Sequence, residues 1–382
     1  MTETVSSIHG FLPAEDSEQE LRLGLNNVFP GIQLGNEQQV ITARFPLQPG
    51  NALPYWPFVR QFLPHMRVLQ GSSIRIWADH LANAVMGIIP DDQPWALHVA
   101  AHYGATHRPH IGARAWHSMT RSGQLKKTPG VAKEKFVDSD AGRNRCRLIQ
   151  EALCERLGKQ RRHLLRNLQR TLEPFAPSAS LVQLLLFEPE QGILSVAPAP
   201  MPYEQRHILS PFPKGEIAPA QDKNAPSRAF AKLVEAELRL GRQIGHGESC
   251  VDLGAAPGSW TYVAVERGAR VIAVDRAPLR ADLVARVECQ QADAFSYAPP
   301  QRVDWLLCDV IAAPERSADL LFRWLTEKGC RHFIVTLKSG DDTPPVFFSE
   351  VADKLGPLCS ELRITKLCTN KKEVCAFGTA RM

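Results

Sequence analysis

Residues 250–275 read CVDLGAAPGSWTYVAVERGARVIAVD, and this stretch decides the fold. Val251 and Leu253 flank Asp252 at the end of an apolar strand. Gly254 and Gly258 bracket a turn in which the backbone is free to approach a ligand. A short helix is predicted from Thr261 to Gly268, its N-terminus facing that ligand. Val271 to Val274 is a buried-type strand, and Asp275 ends it. Strand, turn, helix and strand make a βαβ unit with a parallel sheet. Open α/β sheets bind ligands at the carboxyl edge of their strands, where an acid after the second strand suits a ribose diol.

The glycine spacing narrows the ligand. Gly254 and Gly258 give G-x-x-x-G with no third glycine at the dinucleotide position, so the pyrophosphate cradle of NAD or FAD is incomplete. A nucleoside without phosphates fits better, and S-adenosyl-L-methionine is the candidate cofactor. Its expected contacts along the turn are Gly254, Ala256, Pro257, Gly258, Ser259 and Trp260. The same turn alone is also compatible with an ordinary βαβ unit that binds nothing.

Downstream, β-α repeats continue. Gln290–Phe295 is a short third strand carrying Asp293. VDWLLCD (303–309) is a fourth, ending in Asp309, and a helix follows over 317–325. HFIVTLK (332–338) is a fifth, ending in Lys338. A helix lies within 343–355, and residues 361–368 and 373–378 close the sheet as an antiparallel pair. Neighbouring parallel strands bring their carboxyl ends together, so Asp275, Asp293, Asp309 and Lys338 are expected to converge on one pocket. Asp275 is assigned to the cofactor ribose, Asp293 to the adenine amino group, and Asp309 to the same site.

Bulk properties bound the partner. The 382 residues allow two or three domains. No apolar run is long enough to span a membrane, and the first residues carry no basic region leading into an apolar core, so neither a span nor a secretory signal is expected. Nine cysteines at irregular positions contain no C-x-x-C pair, so no metal is assigned and a reducing cytoplasm is expected. The net charge is +5, but residues 101–170 hold sixteen Lys and Arg against five Asp and Glu. Such a concentrated basic segment points to a polyanion. Within it, Trp116 amid Arg114, His117 and Arg121 suits either base stacking or the cover of an apolar edge.

Four regions are expected. Residues 1–86 form a small α+β N-terminal domain, with a helix over 17–28 that Ser17 caps, a strand over 40–45, and an apolar-periodic stretch over 58–69 broken at Pro64. Residues 87–200 form a basic domain, with a strand at 96–103, a helical stretch over 143–170 broken near Gly158, and a hairpin from 181–187 and 192–196. The Pro-rich residues 201–226 read as an extended linker. Residues 227–382 form the Rossmann-like domain.

DLGAAPGSW resembles the D-L-G-x-x-P-G-G/S-W turn of FtsJ-type ribose 2′-O-methyltransferases. PSRAFAKL, DLGAAPGSW, LLCD, VTLK and KKEV follow one another in the order of the RlmM family, which methylates a cytidine ribose in 23S ribosomal RNA. The resemblance covers the chain from Leu181 onward, and two positions depart from it: Ser259 replaces a common second glycine, and Ala229 stands where a serine is frequent. It implies a Lys-Asp-Lys-Glu tetrad of Lys232, Asp309, Lys338 and Glu373. In that set Lys338 is the base that takes the ribose hydroxyl proton, with Lys232 and Glu373 positioning the ribose. Residues 87–200 resemble a THUMP domain, an RNA-binding module, in the order of their elements. The implied partner is 23S ribosomal RNA, the implied state a monomer. A 2′-O-methyltransferase of another RNA (a cap or a transfer RNA) is the nearest alternative. A non-catalytic RNA-binding or ribosome-assembly factor is the alternative of a different class, and the intact tetrad argues against it.

Overall fold

The computed structural model describes residues 7–47, 53–103, 141–169, 178–200, 206–218, 220–339 and 343–382. Trp116, Arg114, His117, Arg121 and much of the basic segment lie outside the described residues. The chain divides into two compact units. One comprises the described residues up to Glu216 except Tyr55–Pro57, and the other comprises Tyr55–Pro57 and the described residues from Ile217 to Met382.

The first unit contains two sheets. Strands β1 (Ser7–Pro13), β2 (Leu34–Glu37), β3 (Val40–Phe45) and β4 (Val59–Leu63) form a four-stranded sheet in the order β2-β3-β1-β4, with helix α1 (Glu18–Val28) after β1. Ser17 stands at the N-cap of α1 without capping it; its hydroxyl donates to the Glu15 carbonyl. The apolar-periodic stretch around Pro64 forms two strands, β4 and β5 (Arg67–Gln70), because proline and the left-handed His65 after it turn the chain.

Helix α2 (Ile74–Ile88), β6 (Trp95–Ala101), α3 (Ala141–Gln160), α4 (Arg162–Arg166), β7 (Leu168–Gln169), β8 (Ser180–Leu186) and β9 (Gln191–Ala197) follow. They build a second sheet, β5-β9-β8-β6-β7. Its hairpin pairs Leu181 with Ala197 and Leu186 with Gly192. Since β5 pairs with β9 and α2 runs through residue 86, residues 67–88 belong with this sheet. Helix α3 continues through Gly158 and breaks at Arg161 instead; a single glycine costs a helix only about 1 kcal/mol. Trp77, Leu81, Ile149, Leu153, Leu157 and Leu184 pack the core beneath.

The Pro-rich segment is not simply extended. Ile208, Leu209 and Phe212 are buried, and the Gln61 amide donates to the carbonyls of Ser210 and Phe212 while its oxygen accepts from Ser210 N. Apolar side chains spaced between the prolines give this stretch something to bury, which a proline count does not register.

In the second unit, α5 (Phe230–Leu240), β10 (Ser249–Leu253), α6 (Ser259–Glu266), β11 (Arg270–Asp275), α7 (Ala281–Val284), β12 (Glu288–Gln291), β13 (Val303–Cys308), α8 (Pro314–Thr326), β14 (Cys330–Lys338), α9 (Pro345–Leu355), β15 (Cys359–Thr365) and β16 (Glu373–Ala380) build one seven-stranded sheet. Its order is β12-β11-β10-β13-β14-β16-β15. The first five strands run parallel, and β16 lies antiparallel between β14 and β15. Trp305, Leu306, Leu307 and Cys308 are all fully buried, as expected of a central parallel strand covered on both faces. Helix α5 packs Phe230, Leu233 and Val234 into a core shared with Trp260, Trp305, Leu307 and Ile334, and Gly241 ends it in a left-handed C-cap. The strand order reverses beside β10. That reversal leaves the crevice at the carboxyl ends that a Rossmann-like α/β fold uses for ligands.

Candidate active site

The turn after β10 is built by backbone constraints. Gly254 has φ +73° and Gly258 φ +110°, both in the left-handed region. A Cβ at Gly254 would lie 2.4 Å from Val310 Cγ2, and one at Gly258 would lie 2.4 Å from Leu283 Cδ1. Both positions therefore demand glycine on conformation and on space. Helix α6 starts at Ser259 immediately after, with Gly258 as its N-cap.

Asp275 ends β11 and binds the turn itself: Oδ2 accepts from Ala256 N at 2.9 Å and Oδ1 from Ala277 N at 2.8 Å. Each oxygen keeps acceptor capacity for another donor. Asp293 follows β12, where its Oδ1 accepts from Phe295 N at 3.0 Å and its Oδ2 from the Arg276 guanidinium at 2.6 Å. The Phe295 amide and then Arg276 hold the Asp293 carboxyl below its ordinary range. Asp252 was not singled out as a site residue, yet an acid inside an apolar strand is a readable signal. It is buried near the same edge, accepts from Thr261 Oγ1 at 2.6 Å, and has its pKa lifted by burial to about 7.

The four tetrad residues meet. Asp309 directly follows β13, Lys338 ends β14, Glu373 begins β16, and Lys232 lies in the first turn of α5. Lys338 Nζ lies 2.7 Å from Asp309 Oδ1 and 3.6 Å from Glu373 Oε2. Lys232 Nζ lies 2.6 Å from Glu373 Oε1 and 3.3 Å from Asp309 Oδ2. Each carboxylate thus bridges both lysines in a closed ring of alternating charge. The four side chains are only 12–20% exposed. Burial pulls the Lys232 ammonium downward, but Asp309 and Glu373 outweigh it and its pKa is raised. Lys232 is a fixed cation.

The turn and the tetrad are joined by a contact the sequence reading missed. Ser227 Oγ and Ser259 Oγ lie 2.7 Å apart, Ser227 Oγ accepts from Ala229 N, and Trp260 Nε1 donates to the Ala229 carbonyl at 2.9 Å. Ser259 and Trp260, expected as cofactor contacts, therefore hold the start of the helix that carries Lys232. Ala229 supplies a carbonyl here, so its lack of a hydroxyl costs nothing at this bond. Deeper in α5, Glu237 pairs with Arg267 and accepts from Ile244 N, and Glu235 pairs with Arg239. The Glu237 contacts tie the helix to Arg267 and Ile244, whereas the Glu235–Arg239 pair lies within the helix itself.

The donor set around the turn is acidic. Asp275, Asp293 and Asp309 end or follow parallel strands of one sheet, β11, β12 and β13, and both tetrad lysines are tied to carboxylates. That chemistry fits a nucleoside carrying a positive charge and a ribose, and it disfavours a phosphate ester. Among the described residues no group of three His, Cys, Asp or Glu side chains is placed to hold a metal ion, and no helix is long and apolar enough to cross a membrane.

Fold and site together define a methyltransferase domain. Residues 225–323 match the family model described as FtsJ-like methyltransferase, so the chain carries an FtsJ-like methyltransferase domain. It is 36% identical over 188 residues to a protein of Azoarcus sp. (strain BH72) named ribosomal RNA large subunit methyltransferase M, covering 45% of this chain and 51% of that protein. A protein of the same name from Thauera aminoaromatica is 37% identical with the same coverage. The chain spans about half the length of the curated relatives it matches. The fibrillarin pre-rRNA processing protein of Methanococcus jannaschii is a more distant structural neighbour, at 14% identity and a TM-score of 0.31 over 52% of this chain and 82% of that one.

Proposed function

We propose that this chain is an S-adenosyl-L-methionine-dependent RNA ribose 2′-O-methyltransferase of the RlmM family, acting on a cytidine of 23S ribosomal RNA in the cytoplasm. The observation that carries the reading is the ring of Lys232, Asp309, Lys338 and Glu373 at the carboxyl edge, joined to the glycine turn through Ser227 and Ser259. The names of the relatives support a ribosomal substrate.

The cofactor, when bound, supplies a methyl group on a positively charged sulfur. Gly254, Ala256, Pro257, Gly258, Ser259 and Trp260 would hold its methionine part, Asp275 its ribose hydroxyls and Asp293 its adenine amino group, with Asp309 at the border of both sites. Arg276 must then share or release Asp293. The chain's own chemistry is proton removal and alignment. A ribose 2′-hydroxyl holds its proton tightly and attacks poorly until that proton is taken. Lys338 Nζ, held 2.7 Å from Asp309, is the assigned acceptor of the proton from the 2′-oxygen, and Lys232, held mainly by Glu373, is its cationic partner. Lys232 and Glu373 position the ribose. Much of the acceleration would come from Lys232 and Glu373 holding the 2′-oxygen ready for attack on the methyl group that the cofactor supplies.

The region of the second sheet, from β5 to β9, with the basic segment it contains, is assigned to RNA binding, ahead of a catalytic domain over 227–382, and the protein acts as a monomer. The test compares ribosomal RNA from cells with and without the protein for alkali-resistant positions. Loss of one 2′-O-methylcytidine from the large-subunit RNA is expected. An unchanged pattern there, with a lost methyl in transfer or capped RNA, would shift the substrate and keep the chemistry.

A further inference from the structure

Ile311 is 92% exposed, whereas every other large apolar side chain described in either unit, apart from Met382, is less than half exposed. A single exposed apolar side chain is ordinary on a protein surface. Its position is what makes this one informative. Ile311 comes two residues after Asp309, on a loop whose Val310 packs against Gly254. Chain geometry keeps its Cα within about 7 Å of that of Asp309. The loop from Val310 to Ala313 carries no charged side chain, although it borders a ring of four.

We propose that Ile311 is an apolar platform for the base of the nucleotide being methylated. This rests on the function proposed above and names the substrate contact of the same site. The base is bonded to the ribose carbon next to the 2′-carbon. A ribose whose 2′-oxygen reaches Lys338 Nζ therefore carries its base a few ångströms away, in the range of the Ile311 loop. A phosphate would seek Lys or Arg, and this loop offers none. A base face is apolar, and enzymes that act on a nucleotide taken out of its stack hold the base against aromatic or apolar side chains. The approach of Val310 to Gly254 sets the platform between the cofactor turn and the tetrad.

The test uses the full chain, large-subunit ribosomal RNA stripped of protein from cells lacking the enzyme, and labelled S-adenosyl-L-methionine. Ile311→Ala is expected to lower kcat/KM about tenfold, chiefly through KM for RNA, in line with the loss of a partly buried aliphatic contact. Ile311→Asp should lower it further, because it sets an anion against RNA, and Ile311→Leu should restore near-normal KM. Cofactor Kd, measured by calorimetry, should stay unchanged in all three. Wild-type values in both Ile311→Ala and Ile311→Asp would overturn the platform and leave the proposed function standing. So would a matching loss of cofactor affinity, which would place Ile311 in the turn's support. A wild-type protein that methylates no RNA would overturn both.

Discussion

Glu373 stands opposite Lys338 in the β14–β16 register, yet its carboxylate lies closer to Lys232. The distances are 2.6 Å to Lys232 and 3.6 Å to Lys338. The closing strand β16 runs antiparallel, so its first residue arrives at the edge where the parallel strands end. Asp309 is shared in the opposite sense, at 2.7 Å from Lys338 and 3.3 Å from Lys232. One acid therefore mainly anchors the fixed cation and the other mainly orients the proposed base.

Lys338→Ala should remove the base together with its ion pair to Asp309, and leave the cofactor turn in place. The expected loss in kcat is about 10²–10⁴-fold, the usual contribution of a positioned general base. Cofactor Kd should remain near wild type, since the turn is held by Gly254, Gly258 and Asp275. Lys338→Arg should fail as well, because a guanidinium stays protonated. Single-turnover methyl transfer and calorimetry separate the two quantities; near-normal turnover in either variant would sink the assignment.

Glu373→Gln keeps the shape and removes the charge. Lys232 then depends on Asp309 alone, at the longer distance. A half-broken, largely buried ion pair costs about 3 kcal/mol, which a lowered urea midpoint would register. The kcat should fall with it, because Asp309 is drawn from Lys338 toward Lys232. A variant with normal stability and normal kcat would mean that the four side chains do not act as one unit.

Asp252 gives the fold a pH dependence. Burial lifts its carboxyl from 3.8 to about 7, despite the bond from Thr261. An acid whose folded value lies above its unfolded value favours folding when protonated. Its contribution is therefore complete below about pH 4 and is lost as the pH rises through about 7, by about 4 kcal/mol at most. Asp252→Asn removes that dependence. The variant should gain stability relative to wild type between pH 5 and pH 8, as read from urea midpoints at the two values. An unchanged difference across that range would show that Asp252 ionises freely in the folded state.

The sheet of the second unit was legible because parallel strands buried on both faces write themselves as apolar runs, as VDWLLC and HFIVTLK do. Their terminal polar residues were legible for the same reason: Asp309 and Lys338 interrupt runs that burial otherwise dictates. Lys232, on an amphipathic helix, and Glu373, beside Lys371 and Lys372, carry no such mark, and only the motif resemblance picked them out. What stayed hidden is set by three-dimensional reach. Nothing local says that Asp275 binds the Ala256 amide, that Arg276 takes Asp293, or that Arg67–Gln70 pairs with residues more than a hundred positions later. The burial of Ile208 and Phe212 was masked by prolines, which report backbone preference and not packing.

Ser259 departs from the glycine expected at its place, and its hydroxyl meets that of Ser227 at 2.7 Å. If that contact couples the turn to helix α5, Ser227→Ala and Ser259→Ala should not add. Each single change removes the same bond, worth about 0.5–1.5 kcal/mol net, and Ser227→Ala also frees the Ala229 amide, so the double variant should be little worse than Ser227→Ala alone. The kinetic signature should separate this from simple destabilisation. Lys232 rides on α5 and the cofactor contacts ride on the turn, so each single variant should raise KM for S-adenosyl-L-methionine and lower kcat together. Trp260, through its bond to the Ala229 carbonyl, keeps α5 near the turn in all of them and limits the loss to a partial one. Additive effects in the double-mutant cycle would mean that the two hydroxyls act separately, with Ser259 serving the cofactor and Ser227 only capping Ala229.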